Sequence, residues 1–228
     1  MRSQRRLYRA AETLTPYLGD IISYYRFNND LNDQVGTNNG TGTAITYSDG
    51  KSGNASSFNG TSSNISLPSN ILADLTEFSI SLFVKLNTTS TEQRAISFNN
   101  STNGAYISLR LNNGGVSNRI GFLVYNGVNG TPNIVDGFTL TDWTHLVITS
   151  KSFESNKLYV NGVLESTEIV NRGYSQVSSL GNNIGAARTG ASSWCNGLID
   201  GFSIYNKALD QYQVADIYNK QSAGNELL

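Results

Sequence analysis

Asn-Gly and Asp-Gly pairs recur along this chain, at Asn39-Gly40, Asp49-Gly50, Asn59-Gly60, Asn103-Gly104, Asn113-Gly114, Asn126-Gly127, Asp136-Gly137 and Asn161-Gly162. Both kinds of pair accept the positive φ angles of tight hairpin turns, so the chain can reverse direction often and in little space. Between the turns lie short runs of β-branched and aromatic residues with a period of two, at 21–27, 78–86, 105–111, 120–125, 143–149 and 157–160. That period sends alternate side chains to opposite faces, as a half-buried strand requires. In Leu158-Tyr159-Val160-Asn161-Gly162-Val163-Leu164 two runs meet through Asn161-Gly162, which predicts a two-residue hairpin. Strands joined in this way run antiparallel and need no crossover helix.

Helical spacing interrupts the pattern at the two ends. Over 209–220, apolar and polar positions recur by three and four residues, with Asp210 placed to cap the first turn. Val214, Ile217 and Tyr218 then fall on the side that would lean on a sheet. At the start, Arg2, Arg5, Arg6 and Arg9 cluster with Leu7, Ala10, Ala11 and Leu14 at helical spacing until Pro16. We read 1–20 as a basic docking arm that lays arginines and one apolar face on a partner protein, and 21–228 as a single domain. No fixed internal period is visible, which favours a two-sheet sandwich over a propeller or solenoid.

Composition narrows the functional classes. The 16 basic and 17 acidic residues give a net charge of -1, so the body lacks the general positive field that holds nucleic acid. Charged residues make up only 14%, and Asn, Ser, Thr and Gly must supply solubility. The one cysteine, Cys195, excludes an internal disulfide and sits in a strand pattern as a small buried hydrophobe. No apolar run is long enough to span a membrane, and the start shows no secretory h-region.

Catalytic constellations are weak. Glu165 and Glu168 are three residues apart, which points them to opposite faces of a regular strand. Paired glycosidase carboxylates must instead flank one bond, about 5 Å apart in retaining enzymes. His145 is the only histidine and lies in the strand at 143–149, where packing is its expected role. Asp200, between Ile199 and Gly201 in a strand built for burial, needs either a cation or hydrogen-bond donors.

Four blocks carry a family likeness. Tyr25-Arg26-Phe27-Asn28-Asn29-Asp30-Leu31-Asn32-Asp33 is followed by Asn38-Asn39-Gly40 and Gly50-Lys51-Ser52-Gly53-Asn54-Ala55-Ser56-Ser57-Phe58-Asn59-Gly60. Next come Phe78-Ser79-Ile80-Ser81-Leu82-Phe83-Val84-Lys85, then Trp143-Thr144-His145-Leu146-Val147 with the Tyr159 to Gly162 hairpin, and finally Asn196-Gly197-Leu198-Ile199-Asp200 with Tyr205-Asn206-Lys207-Ala208-Leu209. In this order they resemble the laminin-G-like domains of the concanavalin A-like lectin and glucanase superfamily. Phe83 departs from the usual Trp, and Asn28 stands where Asp is frequent. The resemblance implies an all-β, two-sheet antiparallel jelly-roll sandwich with an N-terminal arm and a short C-terminal helix.

It also implies a structural calcium held by Asn28, Asp200 and the carbonyls near Gly50 and Lys51, with Asp30 and Asp33 as further donors. The alternative is that Asp200 accepts backbone N–H bonds and organises the neighbouring loops without metal. For carbohydrate, aromatic rings beside directional polar groups are required. Trp194 with Arg188, Tyr174 with Arg172, and Tyr106 with Arg110 are such sets, and the loops at 112–119, 126–133 and 171–193 are where a ligand surface is expected.

These readings combine into one expectation. The chain is a non-catalytic virion surface protein of a phage fibre, tail or head decoration, made in the host cytoplasm and attached to host-surface polysaccharide. Its arm docks on other virion proteins, and homo-oligomeric copies add avidity. A purely architectural virion protein and a bacterial adhesion module are the alternatives.

Overall fold

The computed structural model describes residues 16–99, 104–170, 181–187 and 193–228. The arm residues Arg2, Arg5, Arg6 and Arg9 and the sugar candidates Arg172, Tyr174 and Arg188 lie outside the described residues.

In chain order the strands are β1 (Ile21–Tyr25), β2 (Thr41–Thr43), β3 (Thr46–Asp49), β4 (Asn54–Asn59), β5 (Asn64–Leu67), β6 (Glu77–Leu86), β7 (Gln93–Asn99) and β8 (Tyr106–Leu111). They continue as β9 (Ile120–Tyr125), β10 (Asn133–Val135), β11 (Thr144–Lys151), β12 (Ser155–Val160), β13 (Val163–Ile169), β14 (Gly181–Ile184) and β15 (Asn196–Tyr205), followed by helix α1 (Gln211–Ser222). One sheet runs β13-β12-β11-β6-β15-β4-β3, with β1 also paired to β15. The other runs β10-β9-β8-β7-β14-β5-β2. Every strand pairing in both is antiparallel. The chain is thus the all-β jelly-roll sandwich that its turn chemistry demands.

The period of two sets the layers. On β6, Phe78, Ile80, Leu82, Val84 and Leu86 enter the central core, where they meet Ile107, Leu109 and Leu111 of β8 and Ile96 and Phe98 of β7. Each fully buried side chain of this size contributes about 1.5–3 kcal/mol, so this shared core holds the sheets together. At the predicted hairpin, Asn161 and Gly162 both take positive φ, 48° and 81°, and join β12 to β13.

The outer face of the first sheet carries a second, smaller core. Val147, Tyr159 and Tyr205 pack there with Val214 and Ile217 of α1, Leu209, and Leu227 of the closing segment. Helix α1 begins where expected because Asp210 forms a capping box. Its carboxylate accepts from the Tyr212 and Gln213 N–H groups, while Gln213 Oε1 accepts from the Asp210 N–H. Residues Pro16–Asp20, assigned to the arm by sequence, form a 3-10 turn instead, and Tyr17 is buried in this outer core. Its hydroxyl donates to Asp216 at 2.5 Å and accepts from Lys220 at 3.1 Å, so the packed body already includes Pro16–Asp20.

Candidate functional site

The outer face of the second sheet is polar. Strands β7 and β8 set Arg94 opposite Arg110, Ser97 opposite Ser108 and Asn99 opposite Tyr106, and β9 adds Tyr125 beside Tyr106. Arg94 and Ser97 are three residues apart and would face opposite ways on a regular strand. A register shift between Arg94 and Ile96 turns both Ala95 and Ile96 into the core and so leaves the two polar side chains on the same side.

These side chains border a cavity of about 300 Å³ lined by Arg94, Ser97, Asn99, Gly104, Tyr106, Ser108, Arg110 and Ala187. The Tyr106 and Tyr125 rings lie 5.2 Å apart at one end. Arg110 Nη2 donates to the Tyr106 hydroxyl at 3.4 Å, so the structure brings this pair together. Arg110 Nε and Ser108 Oγ are buried and, among the described residues, have no hydrogen-bond partner.

Charge in the groove is unbalanced. Glu92 accepts from Arg94 Nη1 at 2.5 Å through one oxygen and from the Gly114 N–H at 2.6 Å through the other. Burial works against ionising Glu92, but the Gly114 N–H and the two guanidiniums outweigh it and hold the carboxyl below its ordinary range. Burial, then the neighbouring Arg110 charge, lowers the Arg94 guanidinium. Glu92 also lines a second recess of about 410 Å³ with Gly60, Thr91, Ser193 and Trp194. Half-buried Trp194 therefore lies beside the groove, joined to it through the Glu92–Arg94 ion pair.

Asp200, Asn28, Gly50 and Lys51 do meet, on the first sheet. Asp200 Oδ2 accepts from the Lys51 and Ser52 N–H groups at 2.7 and 3.0 Å, and Oδ1 accepts from the Gly201 N–H at 2.7 Å. A side chain at Gly50 would bring its Cβ within 2.7 Å of Asp200 Oδ2, which explains the glycine. Asn28 Oδ1 accepts from the Asn54 N–H at 2.6 Å, and its amide donates to Glu226 at 3.2 Å. Glu226, which the sequence did not single out, also accepts from the Tyr24 hydroxyl and draws the closing segment onto the same spot. Burial pushes the Asp200 carboxyl up to about 6 against the pull of its three N–H donors, and Glu226 adds to the rise.

A calcium ion needs 6–8 oxygens. Here each Asp200 oxygen and Asn28 Oδ1 already accepts an N–H, so the residues as placed fit a hydrogen-bonded hub rather than a cation cage. Asp33 is likewise spent on the Tyr24, Val35 and Asn38 N–H groups, and Asp30 on Asn32. Among the described residues no three His, Cys, Asp or Glu side chains gather to hold a metal.

His145 and Cys195 are packing groups. His145 is fully buried between Phe83 and Tyr218, with Nε2 2.8 Å from Ser81 Oγ. Burial pushes the Cys195 thiol up to about 12, far from a reactive thiolate. Glu168 accepts from Asn156, and Glu165 sits at the register shift of the β12–β13 pair.

With this fold and groove in view, comparison with known proteins is decisive for family. The laminin G model described as the concanavalin A-like lectin/glucanases superfamily matches residues 59–215. The chain belongs to this superfamily. Domain 4 of AbnA, a GH43 extracellular arabinanase from Geobacillus stearothermophilus solved with arabinotriose, superposes with a TM-score of 0.72 at 27% identity, covering 87% of this chain and 98% of that one. A structure of botulinum neurotoxin type C, described as interacting with two ganglioside molecules, gives 0.69 at 18% identity, covering 89% of this chain and 52% of that one. A segment of 89 residues, 38% of this chain, is 34% identical to human adhesion G-protein coupled receptor D1 and spans 10% of that receptor. The superfamily member has the fold of a lectin-like binding domain. Among its described residues no helix is long and apolar enough to cross a membrane.

Proposed function

We propose that this domain binds carbohydrate, without cleaving it, through the groove on its second sheet. The observation that carries the reading is the convergence of Tyr106, Arg94 and Arg110 with Ser97, Asn99 and Ser108 around one cavity, with the Tyr125 ring packed beside Tyr106. Rings supply a stacking wall for sugar C–H faces, and the guanidiniums and hydroxyls supply directional partners for sugar oxygens. The arabinotriose-bound AbnA domain, which matches nearly its whole length, supports the same ligand class. Trp194, one recess away, extends the surface along a longer oligosaccharide.

The finer reading is attachment to host-surface polysaccharide by a phage fibre, tail or head decoration. It is supported by the arginine-rich segment ahead of the sandwich and by a fold that relies on no disulfide. Each copy binds weakly, and repeated copies on a virion raise the effective concentration. The test is a glycan array probed with the multimerised chain, together with mass spectrometry of purified virions. Binding to glycans on the array supports attachment, and its loss in Tyr106→Ala assigns it to the groove. Silence across every host polysaccharide leaves the architectural reading. Absence from virions removes the phage reading.

A further inference from the structure

We propose that the groove selects acidic polysaccharide and seats the carboxylate of a uronic-acid unit against Arg110; this deepens, and rests on, the carbohydrate reading above. The first argument is charge. Arg94 and Arg110 face each other across β7 and β8, where like charges are destabilising unless something lies between them. Glu92 is the acid that serves this corner, and both its oxygens are occupied by Arg94 and Gly114. Arg110 makes no ion pair among the described residues. With a neutral sugar this half-buried cation has only the longer-range attraction of Glu92, whose oxygens are taken, whereas a carboxylate gives it an ion pair and completes the alternation of Glu92, Arg94, ligand and Arg110.

The second argument is hydrogen-bond capacity. Among the described residues Arg110 Nε and Ser108 Oγ are buried without hydrogen-bond partners, so the corner has hydrogen-bond capacity to offer a ligand. Guanidinium presents a planar fork that matches a carboxylate better than a hydroxyl. The Tyr106 and Tyr125 rings, 5.2 Å apart and four residues along β8 from Arg110, which donates to the Tyr106 hydroxyl, place a stacking wall beside that anion site. A sugar carrying its acid on the ring meets both features at once. General polyanion attraction does not give this arrangement, since the chain's net charge is -1.

Affinity electrophoresis of the full chain tests the proposal in gels carrying polygalacturonate, alginate or hyaluronate. The controls are the same polymers with their carboxyls reduced to alcohols, neutral arabinan, and single-stranded DNA. Retardation by at least one acidic polymer is expected, with binding at least tenfold weaker to its reduced form. Arg110→Gln should lose at least tenfold, Arg110→Lys should keep part of the binding, and Tyr106→Ala should weaken acidic and reduced forms alike. Arg119→Gln removes the same charge at the exposed Arg119–Asp136 pair and should change binding less than twofold. Thermal melting of each variant shows that the fold is kept. Equal retention by acidic and reduced polymers, or equal effects at Arg110 and Arg119, overturns the proposal, as does equal retention by DNA. Retention by arabinan alone removes the acid preference and leaves the sugar reading, and retention by none of the carbohydrate polymers removes both.

Discussion

On the outer face of the first sheet, Ser79 and Ser81 disappear beneath the 206–210 segment and α1. Ser79 Oγ donates to Lys207 O and accepts from the Leu209 N–H, and Ser81 Oγ pairs with His145. On the outer face of the second sheet, Ser97 and Ser108 occupy equivalent outward positions, but they border a cavity; Ser97 Oγ accepts from the Asn99 amide, and among the described residues Ser108 Oγ has no partner. The same residue type thus serves two ends. Where hydroxyls are satisfied by the chain, the face is part of the scaffold. Where one is left over beside arginines and tyrosines, the face has the make-up of the proposed binding surface.

The strongest test of this contrast is acid. Burial holds the His145 imidazole down, from its ordinary 6.5 to about 3. Between those values the unfolded chain binds the proton and the folded one does not. Stability is therefore full above pH 6.5 and falls as pH drops, by on the order of 4 kcal/mol near pH 3. Asp200 acts with opposite sign between its ordinary 3.8 and about 6, where the folded state binds the extra proton. The difference between wild type and His145→Gln, measured by denaturant titration at stepped pH, isolates the histidine. A variant with an unchanged pH slope would break the assignment.

Next in size is Ile217→Ala, which opens the buried contact between α1 and the first sheet and should cost about 3 kcal/mol in urea unfolding, while leaving glycan affinity within twofold. A smaller loss, about 1.5 kcal/mol, is expected for Glu226→Ala, which strands the Tyr24 hydroxyl and the Asn28 amide. The same melts run with calcium and with chelator should share one midpoint, because the oxygens of Asp200 and Asn28 are already engaged. A rise with calcium would return Asn28, Asp200, Gly50 and Lys51 to the role of ligands. Smallest is Ser108→Ala on the open face, expected to change stability by no more than about 0.5 kcal/mol while weakening acidic-glycan binding. If Ser108→Ala destabilised as much as Ile217→Ala, the distinction between scaffold and binding face would fail.

Much of this architecture was readable before any coordinates. The Asn161-Gly162 turn, the run at 120–125 and the capped helix each combine a local signal with the surroundings they come to occupy. Strands β2, β3 and β14, with sequences Thr-Gly-Thr, Thr-Tyr-Ser-Asp and Gly-Asn-Asn-Ile, escaped because few apolar residues mark a period there. At the groove, Tyr106 and Arg110 share a strand face by simple spacing and were legible. Arg94, Ser97 and Asn99 join them only through inter-strand register and the irregularity at Ala95, neither of which is written in a linear pattern. Glu226 was hidden for a similar reason, since its partners lie about two hundred positions away.

The tip of the β12–β13 hairpin has one further consequence. Asn161 accepts from the His145 N–H and returns its own N–H to His145 O, and Gln211 of α1 grips the Gly162 carbonyl and the Leu164 N–H. Among the described residues strand β13 is the rim of its sheet, the place where a foreign strand could add on and nucleate aggregates. With the Leu164 donor occupied by a helix side chain, an incoming strand finds that N–H already taken at the start of the rim.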